Sequence, residues 1–324
     1  MDILHPASFS MTSDMKSMLL FDHSSIQPED FGHTIKRNTE EIRDTSYNTR
    51  PLSGLLLNSV SNQLTQEGFY GKIETNDLLH TRNLKSKRVK TYCDSSKIDL
   101  LVSMDRLVLH TRTEIKPLDI FKYRATRDVL VQSVWRVFDV KADTMITAFQ
   151  YSDSLYWEAL SISSDLALQL LPKVEETLPE IGNVIGEKVS GLLGPHWETV
   201  NRYYFTTGSR RMKFAVDFIR NNDWDAAASL WREEYKKGFG RSVYRSAMNM
   251  MLYYEYMGNP KEALEWSKKV KEAVDKMPLA PMFGFSAFET WLYYTWVEAL
   301  KVRSIETDML KVYFNKAENK EITN

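Results

Sequence analysis

Histidine, cysteine and acidic side chains carry most metal binding and acid–base catalysis, so their spacing is the first property to test. The six histidines are His5, His23, His33, His80, His110 and His196. No two of them have the HxxxH spacing, and the chain contains neither an HExxH nor a CxxC motif. Metal ligands that share one helix or one tight turn need such spacings. We therefore expect no metal site and no cofactor.

Nucleophilic catalysis needs a nucleophile beside a base. Cys93 is the single cysteine, and it follows Thr91 and Tyr92 in a predicted loop. No GxSxG elbow, GxGxxG turn or phosphate-binding loop occurs in the sequence. A structural thiol is the simpler interpretation of Cys93, because nothing nearby in the sequence supplies a base. We predict no catalytic residues and a protein that is not an enzyme.

A cluster of cations is the strongest local charge feature. Its members are Arg82, Lys85, Lys87, Arg88 and Lys90, with Tyr92 close behind them. Such a basic loop can bind phosphate groups, acidic lipid headgroups or an acidic protein. A loop that is simply solvated explains the same residues, and we favour that interpretation.

The composition limits the classes of partner. Lys and Arg total 42 against 43 Asp and Glu, so the net charge is -1 and gives no electrostatic argument for nucleic acid as the main partner. No apolar run is long enough to span a bilayer, and the opening residues lack a signal peptide. A mature domain from which a leader has been removed would begin in this way.

Alternating and helical patterns predict a mixed sheet in the first part of the chain. Residues 17–22 (SMLLFD) and 69–74 are expected strands, and Pro51 and Gly68 bound an expected helix. Residues 98–115 have an alternating pattern, and a hairpin is expected between 131–140 and 144–151. Residues 24–50 are expected to form a long polar connection that contains a helical stretch. Together these elements predict an α/β domain with a mixed sheet.

Helical spacing dominates the rest of the chain. Residues 159–171 and 175–193 are expected helices interrupted by Pro172 and Pro179, and residues 196–206 an aromatic strand. The helices predicted beyond that strand cover 209–221, 223–237, 242–257, 260–276, 284–303 and 306–316. The fold class is therefore α+β. We expect an α/β domain over 1–207, an all-α domain over 208–318 and a frayed tail over 319–324.

Two copies of one helical hairpin lie between Phe214 and Val274, offset by thirty-six positions. Asn222 aligns with Gly258, and Ala227 aligns with Ala263. The small residues at Ala247 and Ala263, the aromatic at Tyr254 and the glycine at Gly258 resemble the tetratricopeptide pattern. Arg211 and Met251 depart from that pattern, and an ordinary helical bundle is the alternative. A partial third copy begins near Leu292.

Aromatic residues are dense in these repeats. The set comprises Tyr253, Tyr254, Tyr256, Trp266, Trp291, Tyr293, Tyr294 and Trp296. Most of them are expected in the interhelical core, but Tyr253, Tyr256 and Tyr293 are predicted to lie off the core stripe and to bind a partner. Arg210 is a further candidate, because a cation at a helix start opposes the helix dipole unless an acidic group faces it.

A second resemblance covers nearly the whole chain. Ile3, Leu4, Pro6 and Ala7, followed by residues 16–22, resemble the opening of uncharacterised Bacteroidetes envelope lipoproteins, and residues 186–204 resemble the junction of that family. Such proteins end in a tetratricopeptide segment. The resemblance implies a lipid-anchored envelope protein, whose leader and lipidated cysteine are absent from this chain, and it implies no known activity.

Three functions follow in order of preference. The first is a non-catalytic envelope lipoprotein that docks another protein or a peptide through its helical repeats, without nucleic acid and with the membrane reached only through the lipid anchor. The second is a module that binds a glycan or a peptide at the seam between the domains. The third is an enzyme of unknown class. A cytoplasmic location is the alternative to the envelope.

Overall fold

The computed structural model describes residues 1–12, 14–28, 31–37, 40–43, 50–76, 97–276 and 286–321, and for Asn76 and residues 315–321 the backbone alone. The predicted basic loop (Arg82, Lys85, Lys87, Arg88, Lys90) and Cys93 lie outside these residues. The chain divides into two compact units. The sheet unit is built from Pro6–His196, and the helical unit from Met1–His5 with Trp197–Glu318. A mixed sheet followed by a helical region confirms the α+β class.

A seven-stranded mixed sheet forms the centre of the sheet unit. Its strands are β2 (Ser17–Asp22), β3 (His33–Arg37), β4 (Glu40–Arg43), β5 (Lys72–Asn76), β6 (Leu100–Asp119), β7 (Lys122–Asp139) and β8 (Thr144–Ser161). β6 pairs with β2 over its first residues and with β3 further along, both in parallel. β6, β7 and β8 form an antiparallel meander. The predicted hairpin between the last two strands is confirmed, and both of its strands are longer than expected.

Gln27 lies beside β6 between its two parallel partners. The side-chain Oε1 accepts a hydrogen bond from Leu109 N at 2.7 Å, and Nε2 donates to Leu109 O at 2.8 Å. A carboxamide offers one donor and one acceptor, as a peptide group does. Gln27 therefore takes the place of one residue of a strand.

Among the described residues, three helices accompany the sheet: α1 (Pro51–Glu67), α2 (Ser164–Gln169) and α3 (Val174–Leu193). The expected helix at Pro51 is confirmed, and it ends at Gly68, whose φ of 73° is left-handed. α1 and α3 approach closely, because a Cβ added at Gly186 would lie 3.2 Å from the backbone nitrogen of Val60. The apolar faces of α1 and α3 are buried.

Three expectations for this unit are wrong. The described residues between 24 and 50 contain β3 and β4, and no helix is found among them. β8 continues to Ser161, so the helix expected from 159 is reduced to α2. Pro179 lies inside α3 instead of interrupting it. An internal proline costs about 3 kcal/mol, and burial of a ten-residue face of α3 offsets that cost.

Five helices form the bulk of the helical unit: α4 (Arg210–Arg220), α5 (Trp224–Lys237), α6 (Arg241–Tyr256), α7 (Pro260–Asp275) and α8 (Ala287–Glu321). The turns of the two hairpins correspond, because Asn222 and Gly258 both have left-handed φ angles, 57° and 70°. The residue after each turn caps the next helix: Asp223 accepts from Ala226 N and Asn259 from Glu262 N. The core of the unit contains Trp231, Tyr244 and Trp266.

The end of the chain differs from the prediction. A break was expected between a helix over 284–303 and a capping helix over 306–316, but α8 continues through both. The reason lies in the sequence, since residues 287–321 contain neither glycine nor proline.

The N-terminus belongs to the helical unit. β1 (Asp2–His5) pairs with β9 (His196–Thr199), and Val200 N donates to Met1 O at 2.9 Å. The two compact units divide at His196–Trp197 and after His5. The domain boundary near Thr207 stays a prediction. The strand expected over 196–206 is too long, because β9 ends at Thr199.

Candidate interaction surface

An extended segment, residues 200–207, follows β9 and lies along α6. Asn249 of α6 binds its backbone: Phe205 N donates to Asn249 Oδ1 at 2.7 Å, and Nδ2 donates to Phe205 O at 2.8 Å. Arg202 forms a two-bond ion pair with Glu255, at 2.9 Å for both bonds. Side chains of α6 thus bind the segment 200–207, which follows β9 but does not pair as a strand.

The predicted binding residue Tyr256 lies at the end of α6 and stacks on Trp224, the first residue of α5. The ring centroids are 4.2 Å apart and the planes differ by 21°. Tyr256 is 40% exposed. The left-handed turn at Asn222 positions Trp224, whose Nε1 donates to Asn222 Oδ1 at 3.2 Å. The end of the first hairpin therefore presents a fixed pair of aromatic rings.

Tyr253 lies one turn before Tyr256 and is half-buried. Its hydroxyl donates to Asp225 Oδ1 at 2.6 Å. That hydrogen bond raises the pKa of Tyr253 above its usual value, and burial adds a smaller increase in the same direction. The phenol therefore remains a neutral donor. We name the group formed by Trp224, Asp225, Tyr253 and Tyr256 the Trp224 surface.

The two other predicted binding residues lie elsewhere. Tyr293 is buried, and its hydroxyl donates to Ser267 O at 3.0 Å, so the expectation that it lies off the core stripe is wrong. The reason is the rotation of α8, which turns Leu292, Tyr293 and Trp296 inward. Arg210 is exposed at the first position of α4, with its guanidinium 5.2 Å from the ring centroid of Phe214. It stays a separate prediction.

Three buried glutamates in the helical unit were not identified from the sequence: Glu234, Glu255 and Glu289. Glu255 accepts hydrogen bonds from Arg303 Nη1 and Trp296 Nε1, both at 2.7 Å, in addition to those from Arg202. The sequence feature that could have indicated a buried carboxylate is the presence of arginine and tryptophan at helix positions that face an apolar stripe. A carboxylate with this many donors is a structural anchor rather than a free base.

Glu289 and Glu234 are held in the same way. Burial raises the pKa of Glu289, but hydrogen bonds from Ser286, Arg245 and Tyr244 outweigh it, and the pKa lies below its usual value. Burial likewise raises the pKa of Glu234, and hydrogen bonds from Ser242, Ser209 and Arg211 outweigh that effect. Both carboxylates therefore stay ionised at neutral pH, which does not suit a proton-transfer role.

A polar cluster of the sheet unit lies at the carboxyl end of β2. A β-bulge between Met104 and Arg106 turns Asp105 out of the ladder. Asp105 accepts from Ser103 Oγ at 2.6 Å and is paired with Arg136, and His23 Nδ1 lies 3.4 Å away. The Ser103 hydroxyl is directed to the carboxylate, so these residues do not form a serine–histidine nucleophile pair.

Within the described part of the chain, no three or more histidine, cysteine, aspartate or glutamate side chains are grouped so as to hold a metal ion. No described helix combines the length and apolar character needed to cross a membrane.

The chain belongs to a family of domains of unknown function, DUF8603, whose family model matches residues 15–205. A second domain of unknown function, DUF6340, matches residues 213–319. Comparison with curated proteins found no match.

Solved structures resemble the chain only distantly. The PelC dodecamer from Paraburkholderia phytofirmans has a TM-score of 0.28 at 10% identity, with 60% of this chain and 98% of that chain covered. A Xanthomonas campestris protein of another family, DUF330, has a TM-score of 0.24 at 11% identity, with 55% and 87% covered. A hypothetical protein from Chlamydia trachomatis has a TM-score of 0.25 at 11% identity, with 55% and 98% covered.

Proposed function

We propose that the protein is a non-catalytic scaffold of the cell envelope, and that its helical unit docks another protein through the Trp224 surface. The observation that carries this proposal is the stacked pair of Trp224 and Tyr256 at the exposed end of a helical hairpin. Tryptophan and tyrosine are the residues most enriched where interface binding energy concentrates.

The rings of this surface are held before a partner arrives. Trp224 is bonded to Asn222, and Tyr253 to Asp225. Ordering a mobile side chain on binding costs about 0.5–1.5 kcal/mol, so fixed rings avoid part of the entropic cost of association. The carboxylate of Asp225 lies beside the rings and favours a partner with a neutral or basic contact residue.

An envelope location with a lipid anchor is part of the proposal. Its support is the resemblance of residues 3–22 and 186–204 to envelope lipoproteins, together with the tetratricopeptide-like pattern of residues 214–274. The complete gene, expressed in its own host and labelled with radioactive palmitate, should give a labelled product in the membrane fraction. An in-frame stop codon directly before Met1, or an unlabelled product in the cytoplasm, would contradict the anchor.

Docking is tested with an immobilised full chain and an envelope extract of the same host. Tyr256→Ala removes the exposed ring of the stacked pair, and we expect it to lower recovery of the retained protein at least tenfold, because a central interface aromatic contributes about 2 kcal/mol or more. Binding of the purified partner to both chains then confirms the difference by calorimetry.

The matched control is Tyr156→Ala, which removes a tyrosine of 54% exposure from β8 in the sheet unit. Both variants should keep the melting temperature of the original chain within a few degrees. Partner recovery that is the same for Tyr256→Ala and the original chain would rule out the Trp224 surface as the docking site.

A further inference from the structure

The hairpin between β6 and β7 ends in an exposed apolar turn. Ile120 and Phe121 form the two-residue connection between the two strands. Ile120 is 87% exposed, Phe121 is 76% exposed, and Leu118 just before them is 51% exposed. Side chains this exposed contribute little packing to the sheet unit, so their apolar character needs another explanation. We name residues 118–122 the β6–β7 tip.

The conformation of the turn does not require large apolar residues. Two-residue hairpin turns favour glycine, asparagine and aspartate, because the usual turn types need a positive φ. Neither Ile120 nor Phe121 has a positive φ. Asp119 fixes the turn, since its Oδ1 accepts a hydrogen bond from Phe121 N at 2.8 Å. Small or polar residues would serve such a turn equally well, so the two apolar side chains point to a contact outside the chain.

The tip projects beyond the neighbouring strands. β3 ends opposite Ile115 of β6, and β8 ends opposite Tyr123 of β7. Pro117 lies opposite Tyr123, and three residues at about 3.3 Å each take the chain from Pro117 to Ile120, so the apex reaches roughly 10 Å past the edge of the sheet. A stable protein interface buries roughly 800 Å² on each partner. A projection of three apolar side chains offers far less, which favours a fluid layer over a rigid protein surface.

Cations surround the base of the tip. Lys122 begins β7, and Arg124 lies opposite Lys116 across the hairpin. Like charges directly opposite each other on neighbouring strands are destabilising. Lys116 pairs with Glu114 at 2.7 Å, whereas within the described part of the chain neither Lys122 nor Arg124 forms an ion pair. An anionic partner would relieve this repulsion, while a second copy at the same place would add to it.

The carboxylates near the tip leave its base positive. Residues 116–124 carry three cations against the single carboxylate of Asp119, and that carboxylate already accepts the hydrogen bond of the turn. The next carboxylates, Glu114 and Glu158, both lie at the level of Thr126, two residues further from the apex than Arg124. From the apex inward, the order is therefore apolar side chains, then cations, then mixed charge.

This order matches the layers of a membrane surface. Interfacial elements bury their apolar side roughly 5–10 Å into the boundary between headgroups and acyl chains, which is the reach of the apex. With Ile120 and Phe121 at that depth, Lys122 and Arg124 lie at the level of the lipid phosphates. Each lysine or arginine near an anionic surface strengthens binding about fivefold.

We propose that the β6–β7 tip inserts into the surface of a bilayer that contains anionic lipid. The proposal goes beyond the proposed function, because it concerns the sheet unit and a lipid partner rather than the helical unit and a protein. It also differs from a covalent anchor, since the tip needs no modification of the chain. A contact of this size gives reversible binding, as a single acyl chain does.

Flotation of the full chain with vesicles tests the insertion. The chain is expressed from Met1 without an attached lipid and mixed with vesicles of phosphatidylcholine and phosphatidylglycerol. We expect it to float with the vesicles, and Phe121→Asp to lower the partition coefficient at least tenfold, because burial of one phenylalanine side chain alone is worth that much. Since no anchor is present and the Trp224 surface is unchanged, this result is independent of the proposed docking function.

The matched control is Met145→Asp, which places the same charge on a residue of 53% exposure near the start of β8, whereas the tip lies beyond its end. This control should float as the original chain does, and both variants should keep its melting temperature within a few degrees. An original chain that does not float would overturn the proposal, as would a Phe121→Asp chain that floats equally well.

The cations are tested with the double variant Lys122→Gln, Arg124→Gln. We expect its binding to the anionic vesicles to fall by roughly fivefold for each charge removed, while binding to phosphatidylcholine alone stays the same. Added salt should weaken the original chain more than the double variant. Equal binding of the two chains to the anionic vesicles would overturn the assignment to anionic lipid.

An environment-sensitive fluorophore tests which part of the chain enters the bilayer. On a Cys93→Ser background, the dye is attached to Ile120→Cys and, in a separate chain, to Met145→Cys. Vesicles should raise and blue-shift the emission of the Ile120→Cys chain and leave the Met145→Cys chain unchanged. A response of the Met145→Cys chain alone would place the lipid contact elsewhere and overturn the proposal.

A second copy of the chain is the competing occupant of the tip. Sedimentation velocity over a concentration series, without lipid, distinguishes it from the membrane. We expect the original chain and Phe121→Asp to sediment alike. Self-association that Phe121→Asp abolishes, in a chain that does not float with vesicles, would assign the tip to a protein contact and overturn the proposal.

Discussion

The helical unit buries charge where the sheet unit buries almost none. Glu234, Glu255 and Glu289 are enclosed in the helical unit, whereas Arg127 is the charged side chain that the sheet unit buries among the described residues. The sheet unit instead packs apolar helix faces at close range, as where Gly186 of α3 lies against Ser59 and Val60 of α1. Apolar packing of this kind gives net stability, while a buried ion pair gives little net energy but is costly to break.

The same hydrogen-bonding arrangement of a carboxamide with a backbone residue occurs in both units. Gln27 in the sheet unit and Asn249 in the helical unit each bind the N–H and the C=O of one residue with a single carboxamide. In the sheet unit the amide completes a ladder, and in the helical unit it fixes an extended segment to a helix. Polar contacts therefore fix the geometry in both units, while the units differ in the interactions that supply the free energy of folding.

The largest expected effect comes from removing a buried carboxylate. Glu255→Ala leaves Arg202, Arg303 and Trp296 without their acceptor. Breaking a buried pair costs about 3–5 kcal/mol, and we expect the lower end because both arginines are partly exposed and can regain water. Urea unfolding of the full chain measures the loss.

The matched control for this change is Glu265→Ala, which removes an exposed partner of Lys268. Exposed pairs contribute about 0–1 kcal/mol, so the control should be nearly neutral. Equal losses in the two variants would show that the buried carboxylate is no more costly to remove than a surface one, and the contrast between the units would fail.

The second prediction concerns the glycine contact in the sheet unit. Gly186→Ala places a Cβ 2.5 Å from Ser59 Cβ and 3.2 Å from Val60 N, so α1 and α3 would have to shift apart. Overpacking of this kind costs about 1–3 kcal/mol. Gly54→Ala in α1 meets nothing within 4 Å, and it should be neutral or stabilise by up to about 1 kcal/mol. Thermal unfolding separates the two, and a destabilised Gly54→Ala chain would refute the packing explanation.

The third prediction compares the two carboxamides. Asn249→Ala leaves the N–H and the C=O of Phe205 unpaired, and Gln27→Ala leaves the N–H and C=O of Leu109 and the C=O of Phe31 unpaired. An unpaired group costs about 1–3 kcal/mol when water cannot reach it. Asn249 is completely buried, while Gln27 is partly exposed, so water can replace Gln27 more easily. Denaturant titration should show the larger loss for Asn249→Ala. A larger loss for Gln27→Ala would mean that burial does not decide the cost.

Much of the fold follows from local signals in the sequence. Pro51 and Gly68 bound α1 because each suits a helix end by its own backbone preferences. The strand and helix types around the β7–β8 hairpin and the paired hairpins of residues 214–274 follow from apolar periodicity. These signals depend on residues close together in the chain, so they can be recognised without knowledge of the tertiary structure.

The candidate site was harder to predict, because it depends on the rotation of helices. α8 is apolar on more than one face, so its sequence could not tell whether Tyr293 faces inward or outward. The stack of Tyr256 on Trp224 joins two helices, and the contact of Gln27 with Leu109 spans 82 residues. No local sequence pattern predicts contacts between residues so far apart in the chain. The donors around Glu255 also come from distant segments, so they could not be predicted either.

The smallest expected effect is a pH dependence in the helical unit. His5 of β1 lies 3.0 Å from Glu306 and 3.1 Å from Glu198. The hydrogen bond with Glu306, opposed by burial, raises the pKa of His5 above its ordinary value of 6.5. Folding therefore favours the protonated ring. The resulting stabilisation is complete below the unfolded pKa and is lost as the pH rises through the folded pKa.

Unfolding free energies measured between about pH 5.5 and pH 8.5 test this titration. The original chain should be more stable than His5→Gln at the acidic end by about 1 kcal/mol or less, and the difference should vanish at the alkaline end. Glu306→Gln should remove most of the same pH-dependent difference, since it removes the main partner of the charged ring. A constant difference between the original chain and His5→Gln across the range would show that His5 acts through packing. In that case, the ion pair between His5 and Glu306 would contribute no pH-dependent stability to the helical unit.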